Sequence, residues 1–160
     1  MQERTHSGEE LRVCAAQFAR ELRRRERAVL VTLSGELGAG KTTFVQGVAA
    51  TLGISETVAS PTFVIEKVYP IRDASRSNGA GEFGHRFERL VHIDAYRLKN
   101  AHELEVLGWS QIIADPANLI LLEWPERVQK LIPEDAIQVR IDIEGDGRII
   151  SIDYGGKEKN

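Results

Sequence analysis

The segment Gly35-Glu-Leu-Gly-Ala-Gly40-Lys41-Thr42 matches the phosphate-binding loop pattern G-x-x-x-x-G-K-[ST]. Its glycines permit backbone angles that side chains forbid, and they let backbone amides approach a phosphate closely. A helix that begins at Lys41 would aim its free amides and the positive end of its dipole at the same anion. We therefore expect Lys41 to reach the β- and γ-phosphates of a nucleotide and the Thr42 hydroxyl to bind Mg²⁺. Thr43 adds an amide and a hydroxyl near the α-phosphate.

The elements on either side of this loop are those that a phosphate-binding loop requires. Residues 28–33 (AVLVTL) are apolar and β-branched, which predicts a buried strand. Residues 41–52 have a helical pattern, and Gly53 is placed as the C-terminal glycine of that helix. The loop thus stands between a strand and a helix, and this context makes a ligand-free glycine turn a poor explanation.

The remaining segments predict an α/β fold. At the start, Ser7 and Glu10 have the spacing of a capping box for a first helix, and the arginines at 23–27 lie at its predicted end. Further strands are predicted within 57–69, at 90–93 and at 119–122, and helices at 101–114, broken near Gly108, and after Pro125. Residues 137–143 and 149–154 alternate apolar and polar around 144–147, which indicates a hairpin.

We expect one P-loop NTPase-like, three-layer domain over 1–160, with a central mixed sheet that has parallel core strands and an added C-terminal antiparallel hairpin. Residues 71–88 are polar and rich in Gly and Ser, and we expect a mobile surface loop there.

Two carboxylates follow apolar strands. Glu123 ends Leu119-Ile-Leu-Leu-Glu123, and Asp94 ends the segment 90–94. Because the carboxyl ends of parallel strands meet at the phosphate loop, Glu123 is a candidate Mg²⁺ ligand, directly or through water. Asp94 is a candidate for positioning the attacking water or binding Mg²⁺ through water. An ordinary strand end for Glu123 and a turn cap for Asp94 are the alternatives.

Other residues near these strands are less specific. The segment Ser60-Pro61-Thr62-Phe63 is either a switch that senses the γ-phosphate or a turn into a strand. His92 fits a packed or solvated histidine better than a catalytic one, and it is not a predicted catalytic residue. Trp109 and Trp124 are assigned to core packing in preference to stacking on a base or a partner.

Composition excludes several other classes. The 160 residues carry 21 Lys and Arg against 24 Asp and Glu, so a surface that is basic overall, as for nucleic-acid binding, is not expected. One cysteine allows no intrachain disulfide and no structural zinc site of the usual spacing. The polar start lacks the apolar stretch of a signal peptide, and no apolar run suits a membrane span, so we expect a soluble, cytoplasmic protein.

Five segments together resemble the bacterial TsaE family, also called YjeE, of P-loop ATPases in threonylcarbamoyladenosine biosynthesis. In chain order they are GELGAGKTTF (35–44), SPTF (60–63), HIDAYRL (92–98), HELEVLG (102–108) and LLEWPERV (121–128). The loop alone is generic, but the series in so short a chain is specific to that family. The resemblance runs from about residue 7 to residue 154.

The resemblance implies an ATPase that binds ATP and Mg²⁺, hydrolyses ATP slowly and acts with the TsaB–TsaD complex. That complex transfers a threonylcarbamoyl group to adenosine 37 of tRNA, so tRNA would be an indirect partner and no membrane partner is implied. By resemblance Lys41, Asp94 and Glu123 are the catalytic residues and Thr42 and Glu123 are the metal ligands. The implied nucleotide-binding residues are Gly35, Gly38, Ala39, Gly40, Lys41, Thr42, Thr43 and Arg148.

Two alternatives remain at this point. A small-molecule P-loop kinase would use an arginine-rich lid, for which residues 71–89 are the candidate, but no acceptor site is evident. A nucleotide-gated binding module would use ATP to hold a partner-binding conformation, with hydrolysis incidental to it.

Overall fold

The computed structural model describes residues 1–72 and 87–155, and within these ranges the chain forms one sheet of seven strands. In spatial order the strands are β1, β7, β6, β2, β5, β4 and β3. Their bounds are β1 Gln2–Thr5, β2 Val29–Ser34, β3 Glu66–Pro70, β4 Arg89–Asp94, β5 Asn118–Glu123, β6 Ile137–Glu144 and β7 Gly147–Asp153. The helices are α1 Gly8–Glu21, α2 Lys41–Thr51, α3 Ala101–Val106 and α4 Trp109–Ala114, with a 3₁₀ helix at Pro125–Leu131.

The centre of the sheet is parallel and both of its edges are antiparallel. β2 runs parallel to β5 and β6, and β4 runs parallel to β5. β3 closes one edge, whereas the β6–β7 hairpin and β1 close the other, all in antiparallel pairs. The predicted fold class is therefore confirmed, including the parallel core strands and the C-terminal hairpin.

Two apolar clusters cover opposite faces of the sheet and make the fold three-layered. Successive side chains in a strand point to opposite faces, so Val31 of β2 joins one cluster and Leu30 joins the other. α1 and α2 pack on the first face, with Phe18 and Phe44 fully buried there. The second face is covered by α3, α4 and the 3₁₀ helix, through Leu104, Trp109 and Val128. The assignment of Trp109 to the core is thus confirmed.

The start of α1 agrees with the capping prediction. The Ser7 hydroxyl accepts a hydrogen bond from the Glu10 amide at 3.1 Å, and the Glu10 carboxylate accepts one from the His6 amide at 2.7 Å. After the helix, Arg23 donates to the carbonyls of Arg20 and Leu22 at 2.8 and 3.0 Å. These bonds satisfy carbonyls that the helix itself leaves unpaired.

The structure differs from the sequence predictions at β1 and β3. β1 was not predicted, because Gln2–Thr5 is polar. The strand predicted within 57–69 begins only at Glu66, because Ile65 has φ +67° and the residues before it form a turn. Of the surface loop predicted at 71–88, residues 73–86 lie outside the described residues. No helix among the described residues combines the length and the apolar character needed to cross a bilayer.

Candidate nucleotide-binding site

The loop at 35–40 has a backbone that its glycines make possible. Gly35 has φ +142°, and a Cβ there would lie 2.3 Å from the Ile141 carbonyl oxygen. Gly40 has φ +113°, and a Cβ there would lie 2.6 Å from Leu11 Cδ2. Side chains at either position would meet both backbone strain and a steric clash. The loop can therefore close against α1 and β6 only with glycine at these two positions.

α2 begins directly after the loop, at Lys41. Its N-cap is Gly40, which offers no side chain to bond the first amides of the helix. Lys41 folds back so that its ammonium donates to the carbonyls of Gly35 at 2.7 Å and Glu36 at 2.9 Å. Burial lowers the pKa of Lys41 from its ordinary value, although nearby carboxylates, Glu123 first among them, act in the opposite direction. The arrangement presents free amides and a cation to an anion at one point.

Trp124 completes the surroundings of this cation. The residue has φ +60° and ψ +52°, a left-handed backbone that directs the chain from β5 into the 3₁₀ helix. Its ring lies under the Lys41 ammonium, 4.1 Å from Nζ to the centroid, and packs against Tyr96 with centroids 5.0 Å apart. The half-buried Trp124 packs against the apolar cluster of the second face, as predicted, and it also lines the cleft.

Glu123 reaches the loop helix from the end of β5. Thr42 Oγ1 donates to Glu123 Oε1 at 3.2 Å, and His92 Nε2 lies 2.8 Å from the same oxygen. Glu123 is only 3% exposed. The β4–β5 register pairs Asp94 with Glu123, so both carboxylates lie at the carboxyl ends of their strands.

Asp94 is held by the segment between α2 and β3. Ser60 Oγ and Thr62 Oγ1 both donate to Asp94 Oδ2, at 2.8 and 2.6 Å, while the Tyr96 amide donates to Oδ1 at 2.9 Å. The Ile65 carbonyl accepts from the Asp94 amide at 2.8 Å. The segment Ser60–Ile65 is thus tied to the end of β4 by backbone and side-chain bonds.

These residues surround a cleft of about 420 Å³ at the carboxyl ends of β2, β4 and β5. The predicted residues on its wall are Gly38, Gly40, Lys41, Thr42, Thr43, Asp94 and Glu123, joined by Leu37, Ser60, Thr62, Tyr96 and Trp124. Gly35, Ala39 and Arg148 are not on the wall. Ala39 is fully buried, and Arg148 supports the loop from behind, donating from Nε to the Ala39 carbonyl at 2.6 Å.

The family model described as "Threonylcarbamoyl adenosine biosynthesis protein TsaE" matches residues 5–150 of this chain. The chain belongs to the TsaE family. This membership confirms the resemblance, and the family and its relatives are named for the biosynthesis of threonylcarbamoyladenosine, in the relatives' names that of tRNA.

Individual TsaE relatives agree with the family match. The TsaE protein of Streptomyces coelicolor is 43% identical over 114 residues, which are 71% of this chain and 68% of that protein. The TsaE protein of Borreliella burgdorferi is 32% identical over 124 residues, which are 77% of this chain and 80% of that protein. The crystal structure of Bacillus subtilis YdiB superposes with a TM-score of 0.71 at 27% identity, covering 98% of this chain and 86% of that one.

In this TsaE-family chain, sequence reasoning missed four wall or support residues, which are Leu37, His92, Tyr96 and Trp124. His92 was set aside, yet it contacts Glu123, and its spacing of two residues from Asp94 on a strand was the available signal. Trp124 directly follows Glu123, so a strand end at the cleft would have placed it there. Leu37 carried no signal beyond its position inside the loop.

Proposed function

We propose that this protein is an ATPase that binds ATP with Mg²⁺ in the cleft and hydrolyses ATP slowly. The observation that carries the proposal is the convergence of Lys41, Thr42, Asp94 and Glu123 on one wall. A cation, a hydroxyl and two carboxylates beside a glycine-rich helix start are the groups that phosphoryl transfer requires.

In this proposal, Lys41 and the first amides of α2 bind the phosphates and stabilise the charge that develops on the transferred phosphoryl group. Lys41 would exchange its bonds to the Gly35 and Glu36 carbonyls for bonds to phosphate oxygens. Because these donors are fixed by the loop before the reaction, little reorganisation is needed in the transition state. Water attacks the γ-phosphorus in line with the departing ADP oxygen.

The residues suit Mg²⁺. The Thr42 hydroxyl and the Glu123 carboxylate are hard oxygen donors and lie within 3.2 Å of each other. Mg²⁺ in phosphoryl-transfer sites is usually held by one or two protein groups together with phosphates and water. Thr42 and Glu123 would hold the ion, which when bound neutralises charge on the phosphate oxygens.

Asp94 is the candidate for orienting the attacking water. Its Oδ2 is occupied by the hydroxyls of Ser60 and Thr62, so the segment that carries them is coupled to the carboxylate. Ser60 and Thr62 also line the cleft, so a change at the γ-phosphate would reach this segment directly or through Asp94, as in nucleotide switches. No arginine finger is assigned, and slow turnover of the isolated protein is consistent with that.

At the pathway level, we propose that the protein supports threonylcarbamoyl modification of adenosine 37 in tRNA, together with the TsaB–TsaD complex. Membership of the TsaE family supports this role. The protein would not transfer the threonylcarbamoyl group. Its ATP cycle would reset the complex between turnovers, so its contact with tRNA would be indirect.

Two assays test the proposal. The first follows γ-labelled ATP with the wild type and with Lys41→Ala, which should lower phosphate release by about a hundredfold or more. Release that is equal in the two proteins would overturn the site assignment, and label transferred to a small molecule would favour a kinase.

The second assay measures modified tRNA formed by purified TsaB, TsaD and a threonylcarbamoyl-AMP source. Multiple turnovers that require this protein and ATP are expected. Turnovers that are the same without it would overturn the pathway role. Stimulation that persists in Glu123→Gln after hydrolysis is lost would favour a nucleotide-gated module.

A further inference from the structure

His92 is a buried polar side chain on β4, where the apolar face of the sheet meets the cleft residues Asp94 and Glu123. It lies on β4, and its alternate neighbour Leu90 and its register partner Leu121 both belong to the apolar cluster under α1 and α2. His92 is 0% exposed. A leucine would fit the pattern of this face, so packing alone does not explain a histidine here.

The imidazole makes one hydrogen bond, and that bond goes to the site. Nε2 lies 2.8 Å from Glu123 Oε1, and an ionised carboxylate can only accept, so Nε2 carries the proton and donates. Nδ1 is buried and has no hydrogen-bond partner within the described residues. The one hydrogen bond of this buried ring is therefore the bond that reaches Glu123.

The bond fixes one oxygen of Glu123. Oε1 receives His92 from the sheet side and Thr42 from the helix side, while the Glu123 side chain lines the cleft. If Thr42 turns towards a metal ion, its bond to Oε1 is lost and His92 becomes the group that still holds the carboxylate. Outer partners of this kind set the orientation and the basicity of a metal ligand.

We propose that His92 is a positioning residue that fixes Glu123 for Mg²⁺ binding, an inference that rests on the proposed ATPase function. His92 touches neither nucleotide nor metal in this proposal, and it acts only through Glu123. The carboxylate keeps its orientation because the buried His92 N–H donates to its Oε1.

The test compares three substitutions at constant protein concentration. His92→Leu removes the donor and keeps an apolar side chain, whereas His92→Gln keeps an N–H at a similar reach. Tyr69→Phe is the matched control, since it removes a buried hydroxyl of the neighbouring strand that has no partner within the described residues. For each protein, calorimetry measures ATP affinity in EDTA and in Mg²⁺, and a thermal melt records folding.

We expect His92→Leu to keep the wild-type affinity for ATP in EDTA and to raise the half-saturating Mg²⁺ concentration by about tenfold or more. His92→Gln should recover most of that loss, and Tyr69→Phe should behave as wild type. Unchanged Mg²⁺ dependence in His92→Leu would overturn the proposal. If His92→Leu lowers both the ATP affinity in EDTA and the Tm, His92 has a structural role, and that result would also overturn the proposal.

A double-mutant cycle gives the sharpest test. If His92 acts through Glu123, adding His92→Leu to Glu123→Gln should cause no further loss of the affinity gained on adding Mg²⁺. If the double variant instead loses the product of the two single fold-losses in this Mg²⁺-dependent affinity, His92 acts independently of Glu123 and the proposal is overturned. If the wild-type protein binds no ATP, the ATPase function itself is rejected. If the wild type binds ATP with Mg²⁺ but His92→Leu does not change the Mg²⁺ dependence, only the role of His92 is rejected.

Discussion

Lys41 holds its charge in a position that is buried from water. Its ammonium is bonded to two loop carbonyls and lies over the Trp124 ring, which stabilises the cation where solvent does so less. Burial nevertheless lowers the pKa of Lys41 below its ordinary value. Phosphate oxygens placed beside the ammonium would raise that pKa again, so nucleotide binding should be linked to a proton.

The linkage has a definite sign. Below the lowered pKa of the free protein, Lys41 is already charged and the ATP affinity should not depend on this group. As the pH rises from that pKa towards the higher pKa of the complex, binding must take up a proton and the affinity should fall. Calorimetry at increasing pH would show this fall in the wild type. Lys41→Arg should lack it, because arginine stays protonated, and a fall that persists in Lys41→Arg would contradict the assignment to Lys41.

At the scale of single residues, the sequence was informative where a motif fixes both residue type and spacing. Lys41, Thr42 and Glu123 lie together, as their positions after strand and loop require. The residue type of His92 alone did not reveal its contact, since a histidine in an apolar strand has the same pattern whether it packs or bonds a carboxylate. The partner that distinguishes the two cases comes from β5, 31 residues away.

The contact between α1 and α2 depends on Gly47. A Cβ at this position would lie 2.8 Å from Ala15 Cβ and 2.8 Å from the Arg12 carbonyl oxygen. Gly47→Ala should therefore destabilise the protein by about 1–3 kcal/mol through overpacking, although alanine is the better helix former. Urea unfolding measures the change, with Ala50→Gly on the exposed side of α2 as the control, which should cost about 1 kcal/mol. A more stable Gly47→Ala would mean that the helices separate without cost.

The segment Ser60–Ile65 is predicted to loosen when its bonds to Asp94 are reduced. Thr62→Val removes one donor to the carboxylate and keeps the shape of the side chain. A hydrogen bond to a charged group contributes about 1.5–3 kcal/mol, so the amides of Val64 and Ile65 should exchange hydrogen about tenfold faster or more. Both amides bond to the Pro61 carbonyl in the folded protein. Thr57→Val, at an exposed threonine earlier in the chain, should leave the exchange of these two amides unchanged. If both variants speed this exchange equally, the hydrogen bonds to Asp94 do not hold the segment.

Elements with strong periodicity were predictable, whereas elements held by distant backbone partners were not. The polar strand β1 exists because it pairs with β7, and the Met1 ammonium donates to the Ile152 carbonyl at 2.8 Å. Nothing local in Gln2–Thr5 encodes that pairing. Conversely, residues 62–65 have strand composition, but Ile65 takes φ +67°, which a β-branched residue rarely adopts. The bond from the Asp94 amide to the Ile65 carbonyl overrides the local preference there.

At the scale of the whole molecule, the cleft joins parts of the chain that are far apart in sequence. The loop after β2, the ends of β4 and β5, and the segment around Ser60 and Thr62 all contribute to its wall. A ligand that binds there contacts groups that come together only in the folded state. Binding should therefore stabilise the entire fold, with α1, α2 and the sheet melting together.

The expected size follows from mass action. At a nucleotide concentration about 100 times Kd, the stabilisation is about 2.7 kcal/mol, which raises Tm by roughly 5–10 °C for a chain of this length. A thermal melt with a non-hydrolysable ATP analogue and Mg²⁺ measures this shift, and EDTA should reduce it because Thr42 and Glu123 would then lack the ion. Lys41→Ala should lose the shift while keeping a similar Tm without ligand, whereas His102→Ala, at an exposed position of α3, should keep it. A shift of equal size in Lys41→Ala would place the nucleotide elsewhere on the molecule.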